Sequence, residues 1–190
     1  MATVAHWTLA LALLAVLLAA TVRAGGLGGV SARTEGGSAR TMRSLGAGAA
    51  MAFIVVVLGG LVAKFPGAAV ACPGFPLCGD TPAGVPAGAA HVQLTHRVFA
   101  YLLFFHALMV AMAVGGRAGE SRTVQRMAKA AGALVLLQLG LGVAMVMSMP
   151  PPPLRSAHQA VGIGIWVVLF LGMYLARTAA RNVARPEAGA

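Results

Sequence analysis

Five long runs of apolar residues alternate with shorter polar segments along this chain. Each run has the length of about 20 residues that a helix needs to cross the hydrocarbon core of a bilayer. The sequence therefore predicts an all-α, polytopic membrane protein with five transmembrane helices, the last four of which form a bundle. The predicted spans are Val4–Val22, Leu45–Val62, Val92–Val114, Ala130–Met149 and Ala157–Ala176.

The polar segments between the runs suggest how the chain is divided. A linker rich in glycine, serine and arginine follows the first run, and four consecutive prolines, Pro150 to Pro153, must end the fourth helix because proline lacks a backbone donor. The predicted parts are a first transmembrane helix (1–24), a cytoplasmic basic linker (25–44), a four-helix bundle (45–180) with an external cysteine loop (63–91), and a cytoplasmic tail (181–190).

The composition supports a lipid environment. Hydrophobic residues make up 59% of the 190 positions and charged residues only 9%, whereas soluble domains carry about 25% charge. This balance excludes both a soluble globular protein and an intrinsically disordered one. The net charge of +10 does not indicate a nucleic-acid partner, because aromatic residues are few and the basic residues lie in the gaps between the apolar runs. The predicted partner is the lipid bilayer.

The distribution of basic residues predicts the orientation, since lysine and arginine collect in cytoplasmic loops. If the amino terminus is outside, Lys64, Arg97 and Arg155 lie on the outer side and the remaining 11 of the 14 basic residues lie inside. We therefore expect a protein of the inner (plasma) membrane whose amino terminus and cysteine loop are outside and whose carboxyl terminus is cytoplasmic. A cleaved signal peptide is the competing interpretation of the first run, but no basic residue precedes that run.

Both cysteines, Cys72 and Cys78, lie in the predicted outer loop, where the compartment is oxidising and disulfides persist. Closing so short a loop stabilises the fold by roughly 2 kcal/mol. We predict a disulfide. A metal site and a redox-active pair are the alternatives, and the first is weak because no second cluster of cysteine or histidine accompanies the pair.

Two histidines provide the main evidence for function. An ionisable side chain inside a membrane span is costly and indicates a functional site by default. His96 and His158 lie near the outer ends of two helices that run in the same direction, so they share a depth. Two imidazoles at equal depth can bind one haem iron from opposite faces inside a helix bundle.

Two arginines accompany these histidines at the outer rim. Arg97 directly follows His96, and Arg155 precedes His158 by three residues. Guanidinium groups bind carboxylates in a bidentate fork, so the haem propionates are the predicted partners, with snorkelling to the interface as the alternative. His106 lies about 15 Å deeper with no partner histidine at its depth, which favours a buried polar residue bonded across the bundle.

Several motifs resemble the haem A synthase family of integral membrane proteins. Ala71-Cys-Pro-Gly-Phe-Pro-Leu-Cys-Gly79 resembles its outer cysteine loop, and His96-Arg-Val-Phe-Ala100 resembles its His-Arg helix. Leu137-Gln-Leu-Gly-Leu-Gly142, followed by His158, resembles its last pair of helices. The resemblance covers about residues 45 to 180 and is to the carboxyl-terminal, four-helix half of the family.

The resemblance implies that this half holds a cofactor haem b between His96 and His158. The family's other half handles haem O, the substrate whose methyl group is oxidised to the formyl group of haem A, and has a glutamate three residues before its histidine. Gln93 stands at that position here and cannot accept a proton. No catalytic residue is assigned on this basis.

The first helix suggests a second, incomplete site. Val4-Ala-His-Trp-Thr-Leu-Ala10 resembles the last helix of the missing half, which implies that His6 is one ligand of a second haem. The other ligand would then come from a second chain or a second copy, and a farnesyltransferase that produces haem O is a further expected partner. The alternative is an extra membrane anchor with an incidental histidine.

Three functions remain open at this stage. The leading one is a haem A synthase-type oxidoreductase that contributes to the oxidation of haem O to haem A for cytochrome oxidase assembly. The second is a non-enzymatic haem b binding or electron-transfer membrane protein that has lost the synthase activity. The third is a structural assembly factor without haem, which requires His96 and His158 to be ordinary buried residues.

Overall fold

The computed structural model describes residues 2–30, 36–148 and 152–183. These residues contain five long helices and no β-strand, which confirms the all-α fold with five membrane-spanning helices. The chain is therefore a multi-pass membrane protein. The helices are α1 (Ala2–Arg23), α2 (Ala39–Lys64), α3 (Ala89–Gly115), α4 (Arg122–Met147) and α5 (Pro152–Val183).

The helices extend beyond the apolar spans from which they were predicted, because capping residues allow polar first turns. Serines precede both α2 and α4, and each accepts a hydrogen bond from a backbone N–H of the turn that follows. Ser38 accepts from the amide of Thr41 at 3.2 Å, and Ser121 accepts from the amide of Thr123 at 3.2 Å. Satisfying these otherwise unpaired donors stabilises a helix start by about 1 kcal/mol.

The proline run, Pro150 to Pro153, follows the end of α4 and extends into the start of α5. As predicted, α4 ends before it, at Met147. The predicted fifth span begins at Ala157, whereas α5 already begins at Pro152. Proline is tolerated in the first turn of a helix, where its missing N–H would have no partner in any case.

Four helices form a closed ring. α2 packs against α3, α3 against α4, α4 against α5, and α5 again against α2, while α1 lies outside the ring in contact with α2 and α5. The side chains of α3 and α5 therefore meet only across the interior. The core contains aliphatic side chains that are almost fully buried, among them Leu45, Val114, Ile165 and Leu169.

Small residues set the distance between α3 and α4 at one point of the bundle. A Cβ atom at Gly132 would lie only 2.6 Å from the Cβ of Ala111, so the two backbones approach closely here. By contrast, a Cβ at Gly140 or Gly164 would meet no atom within 4 Å. These last two glycines do not serve helix packing within the chain.

The loop between α2 and α3 is folded back on itself. α2 ends where Phe65 turns to an extended conformation, as residues before a proline do. A short 3-10 helix, Ala68–Val70, then follows Gly67, whose φ of +75° belongs to the left-handed region. A Cβ at Gly67 would also lie 2.8 Å from Pro86, so glycine is needed to bring both ends of the loop together.

At the end of the bundle opposite the cysteine loop, a buried carboxylate connects the start of α2 to the segment between α3 and α4. The side chain of Glu120 is only 1% exposed. It accepts hydrogen bonds from the hydroxyls of Ser38 and Thr41, and its Oε1 lies 3.9 Å from Nη1 of Arg117. The negative charge lies at the amino-terminal end of α2, where the helix dipole favours an anion.

We expect that replacing Glu120 with alanine lowers the free energy of unfolding by about 2–4 kcal/mol, since the two hydroxyls lose a shared buried acceptor and the Arg117 guanidinium loses a nearby opposite charge. Glu120→Gln keeps the shape and should cost about half as much. The matched control is Asp80→Asn, which alters an exposed carboxylate in the cysteine loop. Denaturation of the purified protein in detergent, followed by circular dichroism, measures the effect. Equal stability of Glu120→Ala and Asp80→Asn would contradict the role of this cluster.

Candidate functional site

The cysteine loop is closed by a disulfide between Cys72 and Cys78, as the sequence predicted. Cys72 is buried, whereas the loop tip is not: Leu77 is 74% exposed. Backbone groups in such a compact loop cannot all bond to one another, so they need partners from elsewhere. One face of α3 provides those partners.

Three polar side chains at intervals of four residues form this face of α3, which we call the clamp stripe: Gln93, Arg97 and Tyr101. Residues four apart lie on the same side of a helix. Gln93 Oε1 accepts a hydrogen bond from the backbone N–H of Cys72 at 3.0 Å. At the other end of the stripe, the Tyr101 hydroxyl donates to the carbonyl of Pro76 at 2.7 Å.

Arg97 makes the central contacts of the clamp stripe. Its Nη1 donates to the carbonyls of Gly74, at 2.6 Å, and Leu77, at 2.9 Å, and its Nη2 donates to the carbonyl of Cys72 at 2.5 Å. The residue is 7% exposed. A charged donor forms stronger hydrogen bonds than a neutral one, so this guanidinium fixes the loop to α3.

This role of Arg97 was not anticipated. The pairing of Arg97 with a haem propionate stays a prediction, but three of its five N–H donors already bond to loop carbonyls. Arg155, the other arginine expected to contact a propionate, is exposed in the first turns of α5. Of the two guanidinium groups, that of Arg155 is the more accessible to a carboxylate.

His96 lies beside the clamp stripe but points in another direction. Successive helical residues are about 100° apart around the axis, so when Arg97 faces the loop, His96 faces the interior and α2. The ring lies against Gly59, where a Cβ atom would be 3.2 Å from Cε1 and 3.7 Å from Nδ1. The Val55 carbonyl, one turn earlier on α2, interacts with the ring, yet Nδ1 is buried and makes no hydrogen bond of regular geometry.

His158 faces His96 from the other side of the ring of helices. The two imidazoles lie near each other inside the bundle. By helix geometry, His96 lies about 10 Å and His158 about 9 Å from the first residue of its own helix, at the same end of the bundle. Nδ1 of His158 is also buried without a hydrogen-bond partner, and Nε2 lies 3.3 Å from the side-chain nitrogen of Gln138 on α4.

The structure therefore brings together His96, His158 and Gln138, and it leaves the other outer histidines apart. His6 and His91 are both exposed. His106 lies deeper, and its Nε2 donates to the backbone carbonyl of Ser44 on α2 at 2.9 Å. The sequence predicted a buried His106 bonded to another helix; the bond is present, to the neighbouring α2, and the side chain is half-buried.

The paired histidines fit an axial ligand set. In each of them Nδ1 is buried without a hydrogen-bond partner, which is costly for a side chain that serves packing alone, and the other ring nitrogen, Nε2, is able to bind a metal. No cluster of three or more histidine, cysteine, aspartate or glutamate side chains occurs in the described part of the chain. A haem needs only two axial ligands from a protein, because the macrocycle supplies the others.

Sequence reasoning missed two residues of this region. Gln138 was noted only as part of a motif, and Gln93 only as the substitute for a glutamate. The periodicity of four from Gln93 through Arg97 to Tyr101 was the available signal for a polar face on an apolar helix. No pattern in the sequence indicated that Gln138 would lie against His158, because that contact joins two helices.

Comparison with known proteins identifies one family. The family model COX15-CtaA, described as cytochrome oxidase assembly protein, matches residues 1–170. No curated protein and no solved structure matches the chain significantly. The matched region includes α1, the cysteine loop, the clamp stripe and both histidines of the interior pair.

We predict that Arg97→Gln loosens the cysteine loop, because three carbonyls lose their charged donor. Amide hydrogen exchange in residues 71–79 should become at least about tenfold faster, the change that corresponds to a loss of 1.4 kcal/mol in local opening free energy. Mass spectrometry of the purified protein provides the measurement. Arg155→Gln, at an exposed position, is the control and should leave exchange in the loop unchanged. The same exchange rate in Arg97→Gln as in the unaltered protein would exclude the clamp.

Proposed function

We propose a function for this chain from its family: it belongs to the COX15-CtaA family of cytochrome oxidase assembly proteins. In this proposal it binds one haem b through His96 and His158 and contributes to the oxidation of haem O to haem A. Membership confirms the resemblance to haem A synthases and assigns the protein a role in cytochrome oxidase assembly. The bound haem and the reaction are the proposed part.

One observation carries the haem proposal: half-buried imidazoles lie at the same depth on α3 and α5, and each has a buried Nδ1 without a hydrogen-bond partner. An imidazole ligand binds iron through one nitrogen and usually donates its other N–H to a nearby acceptor. The Val55 carbonyl beside the His96 ring is suited to that second role. A bound haem b would supply a one-electron redox centre in the bundle.

Other residues of the chain would orient this haem. Gly59 leaves room for the imidazole of His96 against α2, and Gly142 does so for His158 against α4, where a Cβ would lie 3.5 Å from Cε1. Arg155 is exposed on the turn that precedes His158, which suits a propionate partner at the rim of the bundle. Arg97 would act on the site indirectly, by holding the cysteine loop over it.

In this proposal the enzyme is a haem A synthase-type oxidoreductase that is completed by a partner. No catalytic residue is assigned within this chain; His96 and His158 would hold a haem b that supplies one-electron redox chemistry for a reaction site completed elsewhere. His6 is exposed on α1 and is the proposed ligand of a second haem whose other ligand comes from a second chain or a second copy. A farnesyltransferase that produces haem O remains a proposed supplier of substrate.

The proposed orientation puts the amino terminus and the cysteine loop outside and the carboxyl terminus in the cytoplasm. Positive charge supports it: Arg117, Arg122 and Arg126 all lie at the end of the bundle opposite the cysteine loop. The disulfide supports it as well, since such bonds persist in oxidising compartments outside the cytoplasm.

The alternative function is a non-enzymatic haem b binding or electron-transfer membrane protein. Gln93 favours it, because its amide oxygen is already bonded to the Cys72 backbone and a glutamine does not serve as a base. Expression in a host that lacks haem A synthase, followed by pigment extraction, separates the two. Haem A formed by this chain, alone or with a chain that supplies the missing helices, supports the enzyme; none under either condition supports the alternative.

Removing either histidine should abolish the proposed haem site. We expect the purified chain to show the reduced spectrum of a six-coordinate, low-spin b-type haem, and we expect His96→Ala and His158→Ala each to lose it. His91→Ala is the control, because His91 is exposed in the first turn of α3. A low-spin signal that survives in both variants would assign the iron to other ligands.

A second prediction tests whether haem binding depends on the room that Gly59 leaves for the His96 ring. In Gly59→Val, the new side chain would begin 3.2 Å from the His96 ring and should displace it, so haem content should fall by an order of magnitude or more. Gly164→Val is the matched control, since a Cβ there meets nothing within 4 Å. Absorbance of bound haem per mole of protein gives the comparison. Equal haem content in the two variants would show that haem binding does not depend on the position of the His96 ring against Gly59.

A further inference from the structure

The hydrogen bond between Gln138 and His158 involves the nitrogen that the proposed function reserves for iron. Nε2 of Gln138 and Nε2 of His158 are 3.3 Å apart. An amide nitrogen carries hydrogens and only donates, so the ring nitrogen must accept. In this orientation of the amide, Gln138 engages the lone pair of His158 Nε2, which corresponds to the tautomer with the proton on Nδ1.

The two residues fit together through a pair of glycines, each one turn farther along its own helix. Gly142 follows Gln138 by four residues and faces His158, with 3.5 Å between a Cβ position and Cε1. Gly162 follows His158 by four residues and faces Gln138, with 3.1 Å between a Cβ position and the amide nitrogen. Each helix thus leaves room for the polar side chain of the other.

The contact is isolated from other polar groups. Both Oε1 of Gln138 and Nδ1 of His158 are buried without hydrogen-bond partners. A buried amide that makes only this one bond is poorly satisfied, because its oxygen carries a desolvation cost. Packing alone does not require a glutamine at this position, since leucine or methionine has a similar volume and no such cost.

We infer that Gln138 occupies Nε2 of His158 in the haem-free chain, competes with haem for that nitrogen and must release it when iron binds. The inference rests on the proposed function. One lone pair cannot accept an amide hydrogen and bind a metal at the same time, so haem and Gln138 compete for Nε2. The bond also keeps the proton on Nδ1, which is the tautomer that ligation through Nε2 requires.

The competition predicts that haem affinity rises when the amide donor of Gln138 is removed. In the haem-free protein, removing the amide donor leaves His158 Nε2 buried and unpartnered, and iron then binds without displacing anything. We therefore expect Gln138→Leu to bind haem about fivefold more tightly than the unaltered chain, with the same low-spin spectrum. Gln138→Met, which also lacks an N–H group and has a similar length, should behave in the same way and serves if the leucine variant does not fold.

The experiment titrates the purified haem-free chain in detergent with haemin and follows the Soret band. Gln159→Leu is the matched control: it makes the same substitution at the exposed neighbour of His158 and should leave the affinity unchanged. A second measurement needs no haem. Nitrogen-15 NMR of histidine-labelled protein should show His158 as the Nδ1–H tautomer, and this population should shift toward a mixture in Gln138→Leu.

The outcomes separate the two proposals. If the unaltered chain binds haem through both histidines but Gln138→Leu binds it equally or more weakly, the inference about Gln138 is overturned and the proposed function stands. An unchanged tautomer population in Gln138→Leu also overturns the inference. If the unaltered chain binds no haem at all, the proposed function fails and the competition at Nε2 fails with it.

Discussion

The carbonyl groups of the cysteine loop need donors that the loop does not contain, and the guanidinium of Arg97 supplies them. Three carbonyls bond to this one side chain, which fixes both the loop and the rotation of α3 about its own axis. Because His96 is the preceding residue, that rotation also directs its imidazole toward α2 and the bundle interior. The position of the candidate haem ligand therefore depends on an interaction made by a different residue on the other side of the helix.

The rest of the bundle follows from the same need to satisfy polar groups in an apolar environment. At one end, the clamp stripe binds the loop backbone. At the other, Glu120 accepts from the hydroxyls at the start of α2. Between them lie mainly aliphatic and small side chains, together with the polar contacts of His106 and Gln138. Polar groups without partners remain at the histidine pair and at Gln138, which is why this region is the candidate for ligand binding.

Much of the fold could be predicted from the sequence, because long apolar runs have few alternatives in a bilayer. The five helices and the disulfide follow from run length and loop position. Helix starts were less accessible: the serines that cap α2 and α4 add polar turns that a count of apolar residues omits. Contacts that join distant segments were missed altogether. Nothing in the local sequence around Glu120 or Gln138 identifies their partners, since Glu120 bonds to a serine 82 residues away.

That separation along the chain has a consequence for biosynthesis. The carboxylate that accepts from the hydroxyls at the start of α2 belongs to a residue synthesised much later, after α3 has been completed. At ribosomal speeds of about 5–20 residues per second, roughly 4 to 16 s pass between the synthesis of Ser38 and the synthesis of Glu120. During that interval α2 and α3 can already be in the membrane, held by apolar contacts and by the hydrogen bond between His106 and Ser44. The polar cluster at the start of α2 is therefore completed only when the ribosome delivers the connection between α3 and α4.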